Sequence, residues 1–176
     1  MIPAVLASGL FFSVVALIFN QFKVSVYDSG HTIGAQILQL PIEEILFHFI
    51  LAFAGLNVYV VLNARFPKNN LEKFSLSFSN LLLGVLFAML FFTYTKLYSV
   101  VTFSVLFVLL FYVEYVNKLR FMYRFYRIYV ALLIPFYVLF MLIDGVSVPF
   151  VWFFYLMSIL LLSVYLFEVV KSKSKA

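Results

Sequence analysis

Apolar runs of membrane-crossing length, broken by charges and turn residues, divide this chain into six segments. They are Ile2–Asn20, Leu40–Asn63, Leu76–Thr95, Leu97–Asn117, Ile128–Ile143 and Pro149–Val170. A helix crosses the hydrocarbon core with about 20 apolar residues, so each segment predicts one transmembrane helix. The fifth is the shortest and its ends are the least defined. No Gly/Pro/Ser-rich stretch of linker length separates the segments. The pattern therefore predicts an all-α, polytopic bundle of about six transmembrane helices in the lipid bilayer, forming a single integral membrane domain over 1–176. A cleaved signal peptide is the alternative for the first segment. It is disfavoured because no Lys or Arg precedes the run, which is longer than the roughly 7–15 residues of a signal-peptide core.

Composition agrees: 66% of residues are hydrophobic and 11% charged, with a mean hydropathy of +1.13. Soluble domains carry roughly 25% charged residues. The chain has no cysteine, which removes disulfides, thiolate metal sites, iron–sulfur clusters and cysteine nucleophiles.

The net charge of +5 is explained by topology. With six spans both termini share a side, and ten of the 12 Lys and Arg fall on it: Arg65, Lys68, Lys73, Lys118, Arg120, Arg124, Arg127, Lys171, Lys173 and Lys175. Only Lys23 and Lys96 fall opposite. The positive-inside rule then places both termini in the cytoplasm and the protein in the cell (inner) membrane. Nucleic acid is not needed as a partner. The run from Lys118 to Arg127 interleaves basic and aromatic residues. It reads as an interfacial loop that fixes topology, with a site for an anionic lipid or diphosphate headgroup as the sharper alternative.

Against this background Glu43 and Glu44 stand out at the start of the second span, in Leu40-Pro41-Ile42-Glu43-Glu44-Ile45-Leu46-Phe47-His48. An ionisable side chain at membrane depth costs several kcal/mol unless compensated, and so marks a candidate site. Successive helical residues lie about 100° apart. Glu44 therefore shares a face with His48, and Glu43 with Phe47, Ile50, Ala54 and Asn57. Asp28, His31 and Asp144 fall on the same, outer side, while Glu114 and Glu168 fall near the inner one. Those two are expected to snorkel or to pair with basic residues at the helix ends. A plainer alternative for Glu43 and Glu44 is that one caps the helix and the other meets interfacial water. Glu44 and His48 alone supply too few ligands for a metal, and neither metal nor cofactor is expected. No phosphate loop, glycine-flanked serine nucleophile, two-histidine helix motif or dinucleotide fingerprint occurs. Aromatic residues make up 21% of the chain, and such rings can stabilise a cation through their π faces.

The segment Gly34-Ala35-Gln36-Ile37-Leu38-Gln39-Leu40-Pro41-Ile42-Glu43-Glu44-Ile45-Leu46-Phe47-His48-Phe49 resembles the signature of the small membrane-embedded lycopene cyclases: a glycine, a short apolar stretch, Leu-Pro-x-Glu-Glu and an aromatic-rich span. The resemblance extends from about Phe11 to about Asn63. It implies acid/base cyclisation of the end groups of an acyclic carotenoid, with Glu43 and Glu44 as catalytic residues. Asp28, His31, His48, Asn57 and Trp152 are the secondary candidates around the lipophilic substrate. In that family a second Pro-x-Glu-Asp motif opens the last span, as half of a tandem repeat. Setting Pro149 on Pro41, an offset of 108 residues, gives both spans the same direction, as a parallel repeat requires, but pairs Val151 with Glu43 and Trp152 with Glu44.

That departure motivates a second expectation, a non-catalytic subunit on the same scaffold that works with a second cyclase subunit or as a homo-oligomer. An intramembrane protease of the prenyl-protein-processing type also carries Glu-Glu in a span. It wants an arginine soon after the pair and histidines on later spans, whereas position 48 is histidine and none follows.

Overall fold

The computed structural model describes residues 1–23, 34–67, 72–117, 120–144 and 149–173, with backbone alone at 139–140 and 142–144. Six helices account for most of them: α1 (Ile2–Gln21), α2 (Ile42–Arg65), α3 (Glu72–Phe92), α4 (Leu97–Phe111), α5 (Met122–Asp144) and α6 (Phe150–Lys173). α4 runs on as a π-helical segment, Tyr112–Asn117. Ahead of α2 a short antiparallel hairpin pairs β1 (Gln36–Ile37) with β2 (Leu40–Pro41). Five of the helical stretches, α1, α2, α3, Leu97–Asn117 and α6, are long and apolar enough to cross a membrane.

α5 differs most from the charge-bounded reading. It begins six residues before the expected Ile128, with Arg124 and Arg127 inside its first two turns, and it carries Pro135. The basic residues do not end the helix, because Arg127 reaches across to the end of α2. It donates to the carbonyl of Phe66 at 2.8 Å and to Asn63 Oδ1 at 2.7 Å.

Contacts between helix ends give their directions. α2 and α6 run parallel, since His48 meets Tyr155 near both beginnings and Tyr59 meets Glu168 near both ends. α4 runs with α6, because Tyr98 packs on Trp152 while Asn117 bonds Tyr165. α1 is antiparallel to these: Phe19, near its end, packs on Tyr98 and Tyr155. α3 and α5 also run against α4, because Ser79 near the start of α3 bonds both Glu114 and Tyr126. One end of the bundle therefore holds the starts of α2, α4 and α6, here the carboxylate end. The other holds the starts of α1, α3 and α5, here the basic end, and the start of α1 and the finish of α6 lie there together.

α6 is the central helix, packed against α1, α2 and α4. From Phe154 to Leu161 every residue is buried, as expected of a helix surrounded by other helices. In lipid no aqueous hydrophobic force drives helix association, so close packing and hydrogen bonds must do it. Small residues provide the approach. Gly9 faces the ring of Phe49, and Gly55 faces Leu160, which an added Cβ would meet at 2.2 Å. Two buried serines bond on their own helices. Ser8 donates to Ala4 O at 2.8 Å and Ser158 to Phe154 O at 2.9 Å, so neither hydroxyl is left without a partner in the core.

Candidate functional site

Glu43 and Glu44 stand in the first turn of α2 because the hairpin delivers the chain there. Leu38 and Gln39, at its tip, both hold positive φ, 53° and 67°, the signs of a type I′ turn. The amide of Ile42 donates to Ala35 O at 3.1 Å, and Asn20 Nδ2 at the end of α1 donates to Gln39 O at 2.7 Å. α2 is thus tied to α1 where the carboxylates begin. Pro41 occupies the N-cap position without a side-chain cap bond. Neither glutamate is the cap residue; both sit in the positive field of the first turn. Both are half-buried, and Oε2 of Glu43 has no exposed surface.

One turn below Glu44, His48 is fully buried with its Nε2 2.8 Å from Tyr155 Oη, and either atom can donate. Glu44 Oε1 lies 3.9 Å from the same nitrogen. That distance exceeds a hydrogen bond. A carboxylate from α2, an imidazole from α2 and a phenol from α6 therefore stand in succession. Rings enclose them: Phe12 lies 5.5 Å from Tyr155, and Tyr98 and Trp152 lie 6.1 Å from it, between centroids. The three come from α1, α4 and α6, so the enclosure exists only in the folded bundle.

On the neighbouring face of α2, about 100° round the helix, Phe47, Ile50 and Ala54 from the Glu43 face open into an apolar cavity of about 300 Å³. Pro135 and Phe136 of α5 and Leu156 of α6 close it. The two carboxylates thus belong to different faces of α2: Glu44 stands beside the polar pair, and Glu43 shares the face of Phe47, Ile50 and Ala54 without itself lining the cavity.

Among the secondary candidates, the structure brings His48 and Trp152 to the site. Asn57 is not brought there: it lies farther down α2, where its Nδ2 donates to Phe53 O at 2.8 Å. Asp28 and His31 lie outside the described residues, as does the side chain of Asp144. Tyr155, Tyr98, Phe12 and Phe19 received no role from the sequence. Tyr155 had one usable signal. It lies 107 residues after His48, within one residue of the offset between Pro41 and Pro149, so a repeat places it on the same turn of its span.

At the basic end, Glu114 and Glu168 accept hydrogen bonds from hydroxyls, and Glu168 also interacts electrostatically with Arg124. Ser79 donates to Glu114, and Tyr59 donates to Glu168 at 2.6 Å. The hydroxyl of Ser79 satisfies the half-buried Glu114 without adding a second charge to be desolvated. Among the described residues no three His, Asp or Glu side chains gather as a metal site.

Chemically, the carboxylate end offers groups that can give and take a proton, and rings that exclude water and face a developing cation. A family model described as lycopene cyclase matches residues 1–62 and 95–153. The matched residues include Phe12, Glu43, Glu44, His48, Tyr98 and Trp152 and stop two short of Tyr155; all of α3 lies in the unmatched interval. No curated protein and no solved structure matches the chain.

Proposed function

The chain belongs to the lycopene cyclase family, and from that premise we propose that it acts on the end groups of an acyclic carotenoid as a single membrane domain over 1–176, with Glu43 and Glu44 as its acid/base pair. The reaction is redox-neutral. A protonated carboxyl gives its proton to a terminal double bond, the ring closes by carbon–carbon bond formation, and a carboxylate takes a proton from the resulting carbocation, restoring a double bond. Glu43, on the side of the apolar cavity, serves as proton donor. Glu44, beside the His48–Tyr155 pair, serves as acceptor and can share the proton it receives with the imidazole. Phe12, Tyr98 and Trp152 keep water from the cation, which would otherwise be captured as an alcohol.

The observation that supports this reading best is the succession Glu44, His48, Tyr155 beneath rings from three helices, on the same turns as the Pro-x-Glu-Glu motif. The test is expression in lycopene-accumulating bacteria followed by separation of the pigments. Cyclised products are expected, and lost in Glu43→Gln and in Glu44→Gln. Unchanged lycopene, with the protein shown to be in the membrane, removes the reading for the chain acting alone.

Val151 and Trp152, where the family's second acidic pair falls, favour a second reading: a subunit that needs a partner to supply the other carboxylates. Activity that appears only on co-expression with a second cyclase subunit, together with co-purification of the two, supports it. A lone active monomer rejects it. In either reading we place the protein in the cell (inner) membrane with both termini cytoplasmic.

A further inference from the structure

The basic end holds a second, chemically different cavity of about 510 Å³, between the finishing turns of α2 and α6 and the start of α5. Tyr59 and Asn63 of α2, Phe66 just beyond it, Arg124 of α5, and Phe167 and Lys171 of α6 line it. Arg124 and Lys171 are distant in sequence and meet only through the packing of α5 and α6 on α2. Each is held in place. Arg124 Nε donates to Tyr123 Oη at 2.7 Å, and Lys171 Nζ stands 5.9 Å over the ring of Phe167.

The charges around this cavity do not cancel. The carboxylate beside it, Glu168, accepts a hydrogen bond from Tyr59 and acts electrostatically on Arg124, so its one negative charge offsets one of the two cations and leaves the cavity net positive. Arg127, the third nearby cation, is committed to α2, donating to the carbonyl of Phe66 and to Asn63 Oδ1. It thereby offsets the negative end of that helix dipole, which would otherwise repel an anion. Arg124 and Lys171 remain to face the cavity. The Arg124 guanidinium, with its Nε on Tyr123 and a further hydrogen bond with Tyr59, keeps other N–H donors in a fork that matches phosphoryl oxygens, and the Lys171 ammonium adds a point charge. The rim is apolar and outward-facing: Val60 is 39% and Phe66 52% exposed. A soluble phosphate has no use for that rim, whereas a lipid places acyl chains against it.

We propose that this cavity binds the phosphoryl headgroup of an anionic membrane lipid, held between Arg124 and Lys171 with its acyl chains along Val60 and Phe66. The site is independent of the chemistry at the carboxylate end and stands whether or not the chain cyclises carotenoids.

The test uses the full chain reconstituted in phosphatidylcholine vesicles with spin-labelled phosphatidylglycerol or spin-labelled phosphatidylcholine, reading the motionally restricted fraction of each. Preferential restriction of phosphatidylglycerol is expected. Its relative affinity should fall about fivefold in Arg124→Gln and in Lys171→Gln. It should be kept in Arg124→Lys, which retains the charge, and in Lys73→Gln, an exposed lysine of α3 outside the cavity. Lys171 is exposed at the end of α6, so its loss leaves the core intact, and helical circular dichroism checks each variant. Titration of inorganic phosphate into the detergent-solubilised protein separates the sources. Phosphate binding lost in the same variants, without a lipid preference, keeps the phosphoryl site but overturns its assignment to lipid. Neither signal, or an equal loss in Lys73→Gln, overturns the proposal.

Discussion

His48 and Tyr155 are the residues on which the candidate site turns, because each leaves the other's polar atom buried if it is lost. Tyr155→Phe keeps the ring and removes the hydroxyl. We expect it to lower unfolding stability by about 1–2 kcal/mol, the cost of a lost interhelical hydrogen bond with one buried partner left behind. Denaturation of the purified protein in detergent, followed by circular dichroism, measures this. If the hydroxyl also steadies the imidazole that Glu44 uses, the same variant lowers carotenoid conversion without abolishing it, unlike Glu44→Gln. At this scale the sequence was informative for Glu43, Glu44 and His48, whose cost in an apolar span is visible without a fold. Tyr155 was not singled out, because one tyrosine among 12 has no distinguishing feature until its hydroxyl is found 2.8 Å from an imidazole.

Between elements, the packing of α2 on α6 and α1 fixes where those residues meet, and it depends on two glycines. An added methyl at Gly55 falls 2.2 Å from Leu160 Cδ2, far inside contact distance, and Leu160 is itself buried. Gly55→Ala should destabilise the bundle by about 1–3 kcal/mol, and pairing it with Leu160→Ala should recover part of the loss, both read from the same denaturation curves. An equal effect of Gly84→Ala, whose Cβ would meet nothing within 4 Å, would show that the cost is not one of space. The cavity on the Glu43 side gives a second prediction. Ala54→Phe fills it and should reduce carotenoid conversion at least several-fold while leaving stability nearly unchanged, which pigment analysis and thermal unfolding together can establish. The charge pattern placed the helices, though α3 begins four residues before the expected Leu76 and α5 six before Ile128. α5 starts early because Arg127 is absorbed by the end of α2. The hairpin before α2 was missed because Leu38 and Gln39 carry no turn signature, although both adopt a left-handed backbone.

For the whole molecule, alternating helices put the start of α1 and the finish of α6 at one end, the end we propose to be cytoplasmic because most Lys and Arg fall there. The chain has no cysteine, so single introduced thiols report on sidedness directly. Thr95→Cys, in the turn before α4, should react with a membrane-impermeant maleimide in intact cells. Ser172→Cys, near the finish of α6, should react only after lysis. The reverse pattern would invert the orientation and place Glu43 and Glu44 on the cytoplasmic side. By itself the sequence determined the class, the helices, their alternation and the presence of two costly carboxylates, since all of these follow from local hydropathy and charge. Only the tertiary structure decided what the carboxylates face. The ring around His48 draws on α1, α4 and α6, and the cationic cavity joins α5 to α6. Contacts between distant helices are set by which small residues allow close approach, and no local pattern in a uniformly apolar chain encodes that.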